Sequence, residues 1–319
     1  MALLAVIVLA AGLRFTGLSW GLRHRPHWDE RVFVENAARM AEKRELDHRF
    51  YEYPGLFFDV LAPVLAFAGA GQPDARAYLV ARGMVAFFGT ASVLIVFLLG
   101  RRLLDERAGL AAALLLAVSP IDVWTAHMVR PDVPLQTLVL LALLAFGAIG
   151  PRLRGDLLSG LAIGAATAVK FTGLLLVPSY LAARALAPGP RLRRTLVAGM
   201  IGVVVLLLAT PYALVRGRSF FEGVWIQWRF HYGAGGFADL TGFALYYLRA
   251  IATTLGPLGA VLLAAGTALA LLDWRRWLPL VLHPLVTLAV HSTAEVRYDR
   301  FLVPTTGVLC LLAARPLAQ

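Results

Sequence analysis

Ten apolar runs divide this chain: Leu3 to Trp20, Tyr78 to Gly100, Ala108 to Trp124, Val133 to Ile149, Leu157 to Val169, Phe171 to Leu186, Leu196 to Tyr212, Phe243 to Leu272, Trp277 to Val290 and Phe301 to Ala314. A helix that crosses roughly 30 Å of hydrocarbon needs about 20 predominantly apolar residues. Segments inside a bilayer must also satisfy every peptide group internally, which restricts them to helices or closed barrels. Runs that are apolar throughout, without the alternation of a barrel strand, leave an all-α polytopic membrane bundle of about ten spans. A mean hydropathy of +0.73, with 59% hydrophobic and 15% charged residues, agrees. The first run lacks a basic leader segment and is followed by many others, so it reads as a retained span and not as a cleaved signal. One further run, Leu56 to Gly71, is short for a crossing and its sequence leaves that open.

The formal charge of +11 resides in short arginine clusters between the apolar runs. That is the pattern of cytoplasmic loops, and no basic stripe interleaved with aromatics is present, so nucleic acid is excluded as a partner. Four clusters carry the bias: Arg101, Arg102 and Arg107; Arg152 and Arg154; Arg191, Arg193 and Arg194; Arg275 and Arg276. They share one side only if residues 157–187 form two arms that turn near Lys170, which puts Lys170 on the other side. Asp132, the segment 213–242 and "HSTAEVRYDR" at 291–300 then lie with Lys170. Whether Asp29 joins them depends on the run from Leu56. The single Cys310 rules out an intramolecular disulfide and a Cys-rich metal site.

Several polar groups stand out against this background. Asp29 and Glu30, in "RPHWDERVF", follow the first span and precede an amphipathic segment with Phe33, Ala37, Met40 and Ala41 on one face, which predicts a helix in the interface. Two acids also suit an ordinary helix start. If one of them is a general base, only one faces the chemistry, because adjacent helical residues point apart. "YEYPG" at 51–55 sets Glu52 in a tyrosine belt, and "HMVRPDVP" at 127–134 opens a span with Arg130 and Asp132. Lys170 interrupts an apolar stretch, where a lysine faces a protein interior or aqueous cavity and pairs with an anion. Arg297 and Tyr298 cap the last span, and an arginine there suits either forked phosphate contacts or simple anchoring. His231 and Tyr232 fall in an aromatic, Gly-rich loop. Carboxylates, cations and aromatics converging on one face would suit a lipid-linked anionic substrate.

The order of these motifs, with "ARGMVAFFGTASVLIVFLLGRRLLDERAGLAAALLLAVSP", "LSGLAIGAATAVKFTGLLLVP", "TPY" and a closing "RYDRFLVP", resembles the GT-C membrane glycosyltransferases. The nearest group is that of protein O-mannosyltransferases, lipid A aminoarabinose transferases and RgtA-like enzymes. The resemblance implies transfer of a hexose or pentose from a polyprenyl-phosphate carrier to an acceptor hydroxyl on protein, lipid or cell-envelope glycan, with inversion. It implies an active site on the external face, in a bacterial inner membrane, and a juxtamembrane helix over the run from Leu56 that does not cross. It further implies a catalytic Asp29 assisted by Glu30, Glu52 and Asp132. Lys170, Arg297, Tyr298 and Arg130 are expected at the carrier phosphate, His231 and Tyr232 at an acceptor or donor loop, and Asp29 with Glu52 as candidates to hold a divalent metal. Gly55 departs from the family's second proline, and Tyr53 from the lysine of aminoarabinose transferases. The whole chain reads as one GT-C domain, with a catalytic loop over 21–76, a second large loop over 213–242 and no C-terminal soluble domain. Two other classes compete: a transporter or flippase, which predicts inverted repeats that the sequence does not show, and a non-catalytic carrier-lipid binding protein, which predicts loss of the acids.

Overall fold

A computed structural model of the chain describes residues 1–22, 27–232 and 240–318, and every regular element among them is helical. Helix α1 (Ala2–Phe15) precedes α2 (Trp28–Lys43) and α3 (Leu56–Phe67), then α4 (Ala75–Leu103), α5 (Glu106–Val118), α6 (Pro120–Ala126), α7 (Asp132–Phe146) and α8 (Arg154–Val169). A 3-10 turn over Phe171–Leu176 leads into α9 (Val177–Leu186), followed by α10 (Arg191–Ala209), α11 (Tyr212–Val215) and α12 (Gly217–Tyr232). The chain closes with α13 (Leu240–Leu272), α14 (Trp274–His291) and α15 (Val303–Ala314), the last preceded by a 3-10 turn over Asp299–Leu302.

Local chemistry sets several of these boundaries. The Asp74 and Asp105 carboxylates accept the Ala77 and Ala108 N–H groups at 3.0 and 2.8 Å, satisfying first-turn donors of α4 and α5. At α2 the His27 ring accepts from the Asp29 N–H while the His27 N–H donates to Glu30, a reciprocal cap. Four described helical segments are long and apolar enough to cross a membrane, and α5 with α6 makes a fifth that is bent by 56°. Other apolar runs are shorter helices, among them Ala2–Phe15, Asp132–Phe146 and Phe171–Leu186, the last separated from α8 by the break at Lys170. The segment 213–242, expected as a loop, is instead helical in α11 and α12; residues 233–239 lie outside the described residues.

The expected turn near Lys170 is present. Lys170 has extended backbone (φ −155°, ψ 134°), and α9 runs back so that Arg184, near its end, pairs with Asp156 near the start of α8 at 3.2 Å. Arg194 of α10 reaches the same carboxylate at 3.6 Å and donates to the Gly150 and Pro151 carbonyls, while Arg102 donates to those of Leu144 and Gly147. The arginine clusters that follow α4, precede α8 and open α10 thus gather at one end of the bundle. At the other end α3 packs on α2, with the Phe33 ring 5.2 Å from Phe57 and 5.5 Å from Phe58, and does not separate Asp29 from Asp132.

Burial grades the bundle from centre to edge. The final segment, Asp299–Leu317, is 78% buried and forms the axis, whereas α10 is 6% buried and lies at the periphery. Its seat is α8, where Gly164 faces Gly202 so closely that a Cβ on Gly164 would come within 2.7 Å of the Gly202 carbonyl oxygen. Small residues let helices approach this way in membranes, where dispersion contacts between backbones replace the hydrophobic drive.

Candidate active site

Asp29 lies in the first turn of α2, held there by the His27 cap. Its Oδ2 faces two guanidinium groups, Arg130 Nε at 3.1 Å and Arg300 Nη1 at 3.0 Å. Among the described residues its Oδ1 has no hydrogen-bond partner, and the side chain is 29% exposed. Arg130 comes from the turn between α6 and α7, and its Nη2 lies 3.0 Å from the His27 ring. Arg300 comes from the 3-10 turn before α15, its guanidinium 4.1 Å over the Tyr298 ring.

Glu30 points elsewhere, as one residue along a helix requires. It is fully buried, and its two oxygens accept from Arg82 Nε and Nη2 of α4 at 2.7 Å each. The Val129 N–H donates to it as well, at 3.0 Å, and Arg82 also donates to the Leu18 and Trp20 carbonyls. Glu30 therefore ties α2 to α4 and to the turn that bears Arg130. Its oxygens are taken by these donors and by the His27 N–H, so what the structure gives Glu30, expected among the catalytic acids, is a structural tie.

Asp132, the first residue of α7, is buried and receives Lys170 Nζ at 2.7 Å. The lysine, at the break between α8 and the 3-10 turn, also stands 5.5 Å from the Phe301 ring centroid. Below this pair the aromatic wall continues: His291 stacks on Phe301 at 4.2 Å and hydrogen-bonds the Tyr232 hydroxyl through Nδ1 at 3.1 Å. His231 Nδ1–H donates to the Gln227 carbonyl at 2.9 Å, leaving Nε2 as the acceptor of a neutral ring, and burial lowers its pKa, which favours that neutral form. Burial pushes the Tyr232 hydroxyl up to about 12, so it stays protonated. These residues belong to α12, which sits on the "YEYPG" loop because Gly223 has no side chain: a Cβ there would come within 2.6 Å of the Tyr51 carbonyl carbon.

Two cavities flank these groups. One, of about 160 Å³, is aromatic and lined by Glu52, Tyr53, Lys170, Trp228, His231, Tyr232, His291 and Phe301. The other, of about 350 Å³, is more polar and lined by Arg130, Arg300, Tyr298, Thr125, Thr253 and Thr254. Asp29, through its two arginines, borders the polar cavity; Glu52 and Lys170 open into the aromatic one. Burial raises the Glu52 carboxyl above the usual glutamate range, and among the described residues it has no ion-pair partner.

The structure thus unites Asp29, Arg130, Asp132 and Lys170 at one end of the bundle, with Glu52, His231 and Tyr232 on the adjoining wall. Arg297 lines neither cavity; its carbonyl accepts the Tyr246 hydroxyl at 3.4 Å, and that of Tyr298 accepts Tyr247 at 3.4 Å, clamping this arm to α13. The arginine that joins Arg130 at Asp29 is Arg300, for which the sequence carried no expectation. Its signal was position: it alone adjoins Phe301 in "RYDRF", and the 3-10 turn there redirects the chain. Among the described residues no three His, Cys, Asp or Glu side chains form a metal site, and Asp29 already faces two cations. This donor set does not fit a divalent ion held by Asp29 and Glu52.

Comparison with known proteins follows the same lines. Residues 76–214 match the family described as dolichyl-phosphate-mannose-protein mannosyltransferase. No curated protein sequence matches the chain. Among solved structures, ArnT from Cupriavidus metallidurans bound to undecaprenyl phosphate superposes with a TM-score of 0.76 at 20% identity, over 98% of this chain and 59% of that one. The archaeal oligosaccharyltransferase AglB from Archaeoglobus fulgidus, in complex with an inhibitory peptide and a dolichol-phosphate, gives 0.66 at 13% identity, over 98% of this chain and 49% of that one. The S. cerevisiae protein O-mannosyltransferase complex Pmt1-Pmt2, bound to its sugar donor, gives 0.50 at 19% identity over 70% of this chain and 34% of that one. The present chain therefore spans a little over half of the ArnT chain, and less of the others.

Proposed function

We propose that this integral membrane protein, which has the fold of the GT-C membrane glycosyltransferases, transfers a sugar from a polyprenyl-phosphate carrier to an acceptor hydroxyl. The observation that carries the reading is a carboxylate with one oxygen facing two arginines and the other unpartnered among the described residues, at the same end of the bundle as a half-buried lysine paired with Asp132.

In this reading the acceptor hydroxyl lies against Asp29 Oδ1. Its oxygen attacks the anomeric carbon from the face opposite the phosphate, the bond from that carbon to the phosphate oxygen breaks, and the hydroxyl proton passes to Oδ1. The sugar changes hands once, so its anomeric configuration inverts. The phosphate leaves with one more negative charge than it carried, and Arg300, Arg130 and Lys170 supply preorganised positive charge at that moment, when it lowers the barrier most. Asp132 orients Lys170, and Glu30 with Arg82 fixes the helix that carries Asp29. Glu52, Tyr53 and Trp228 form a wall suited to a sugar, and Tyr232 and His231 close it. The site opens to the external face of a bacterial inner membrane, because the arginine-rich end of the bundle is the opposite one.

The test is a reconstituted assay of the full chain in lipid nanodiscs with polyprenyl-phosphate hexoses and pentoses, analysed by mass spectrometry with the product anomer assigned by NMR. Transfer with inversion is expected, and retention of configuration would refute the single displacement. Single-cysteine labelling at positions 29 and 132 in a Cys310→Ala background should mark both from outside the cell, and labelling from the cytoplasm would refute the orientation.

A further inference from the structure

Arg130 and Arg300 meet the same Asp29 oxygen at 3.1 and 3.0 Å, so two guanidinium groups that repel each other converge on one atom. They come from separate turns, one between α6 and α7 and one before α15. Apolar contacts between membrane helices resist sliding only weakly, because lipid is as apolar as leucine, whereas hydrogen bonds are directional and fix register.

A buried polar cluster joins the elements that bear these turns. Asp122 of α6, Gln136 of α7 and Thr306 of α15 are all buried. Gln136 Nε2 donates to Asp122 Oδ1 at 2.6 Å, to Thr306 Oγ1 at 2.6 Å and to the Val303 carbonyl at 2.7 Å. The Thr306 hydroxyl donates to Asp122 Oδ1 at 2.8 Å, and the Ser119 hydroxyl, at the bend between α5 and α6, donates to Asp122 Oδ2. Arg14 of α1 donates instead to the Leu116 and Ala117 carbonyls at the end of α5. The carboxylate is thus held by an amide and two hydroxyls, an expensive group to keep inside a membrane bundle.

Each member sits on an element that carries a residue of the site. Gln136 lies one turn along α7 from Asp132 and on the same face. Thr306 and Val303 belong to the first turn of α15, directly after the 3-10 turn that bears Arg300. Asp122 lies on α6, which ends at Ala126 and leads into the turn that bears Arg130.

We propose that Asp122 and Gln136 are positioning residues: their hydrogen bonds lock α6, α7 and the start of α15 in one register, so that Arg130, Asp132 and Arg300 arrive at the site together. This rests on the reading of the chain as a polyprenyl-phosphate transferase.

The test is steady-state kinetics in nanodiscs with a polyprenyl-phosphate sugar, with thermal unfolding to confirm that each variant is folded. Gln136→Leu fills the space of the amide and removes all three of its hydrogen bonds. It should lower kcat about tenfold to a hundredfold, the scale of a misplacement of about 1 Å at the reacting groups, with KM within about threefold of the parent. Asp122→Asn keeps Oδ1 as acceptor for Gln136 and Thr306, so its kcat should stay within about threefold of the parent, whereas Asp122→Leu should lose as much as Gln136→Leu. In an Arg300→Gln background no guanidinium is left for α15 to place, and there Gln136→Leu should cost at least about threefold less in kcat than it does in the parent. A bundle that was merely loosened would lose kcat by the same factor in both backgrounds. That result, a rise in KM without a fall in kcat, or parent-like kinetics in Gln136→Leu would each overturn the assignment and leave the transferase reading intact. Should Gln136→Leu fail to fold, Thr306→Val, which keeps the shape and removes only the hydroxyl, carries the same two comparisons, with Thr306→Ser expected to behave as the parent. A parent that transfers no sugar from any polyprenyl phosphate would overturn the transferase reading, and the positioning role with it.

Discussion

Asp29 and Glu30 are neighbours in sequence with opposite duties, and removing one charge from each should give opposite signatures. In Glu30→Gln one carboxylate oxygen becomes an NH2 group. Both oxygens now accept from Arg82 at 2.7 Å, one also from the Val129 N–H and the other from the His27 N–H at 3.3 Å, so either amide orientation points a donor at a donor. The pair is dry, with Glu30 fully buried and Arg82 5% exposed, and breaking a buried pair from one side costs about 3–5 kcal/mol. For a chain of this size that is a fall in melting temperature on the order of 10 °C. Asp29→Asn keeps an acceptor toward Arg130 and Arg300 at a partly solvated position, so its cost in stability is on the order of 1 kcal/mol or less. Turnover should behave inversely: Asp29→Asn loses at least about a thousandfold through loss of the base, and Glu30→Gln loses much less per folded molecule. Thermal unfolding in nanodiscs, with single-turnover transfer normalised to folded protein, measures both. A Glu30→Gln variant that melts like the parent but transfers nothing would refute this division of labour.

Three further outcomes follow from the geometry. Lys170→Met and Arg300→Gln should each lower kcat by about tenfold to a thousandfold, the range for removing a preorganised charge at a developing anion, while Arg297→Gln stays within a few fold; steady-state kinetics on one donor separates them. Glu52 carries a carboxyl whose pKa burial raises, so its contribution to stability is fully present below the ordinary glutamate value of 4.5 and is lost as pH rises through the raised one. Glu52→Gln, which mimics the protonated form, should therefore melt higher than the parent at pH 8, with the gap closing toward pH 4.5, and a gap that widens on acidification would contradict the shift. Gly55 packs where a Cβ would come within 2.1 Å of the Ala209 carbonyl oxygen, and its N–H donates to Thr210 Oγ1 at 3.1 Å. Gly55→Ala should cost about 1–3 kcal/mol by overpacking, and Gly55→Pro more because the donor is lost too, both read by thermal unfolding.

Local pattern alone determined much of this protein. Apolar run lengths and the spacing of arginine clusters fixed a helical membrane bundle and demanded a chain reversal near Lys170, because hydrophobicity and charge placement act residue by residue along the chain. The same local geometry separated Asp29 from Glu30, since adjacent helical side chains diverge whatever surrounds them. Tertiary structure decided what depends on contacts distant in sequence. Glu30 became a buried anchor only because Arg82, 52 residues away, arrives with both nitrogens in place. Arg300, and not Arg297, reached Asp29, 271 residues away, because a single 3-10 turn sets which side chain faces inward. The run from Leu56 became a short helix docked on α2 because aromatic packing around Phe33 offered it a partner there. The two cavities are spaces between helices, and no periodicity within one helix encodes the shape left between several.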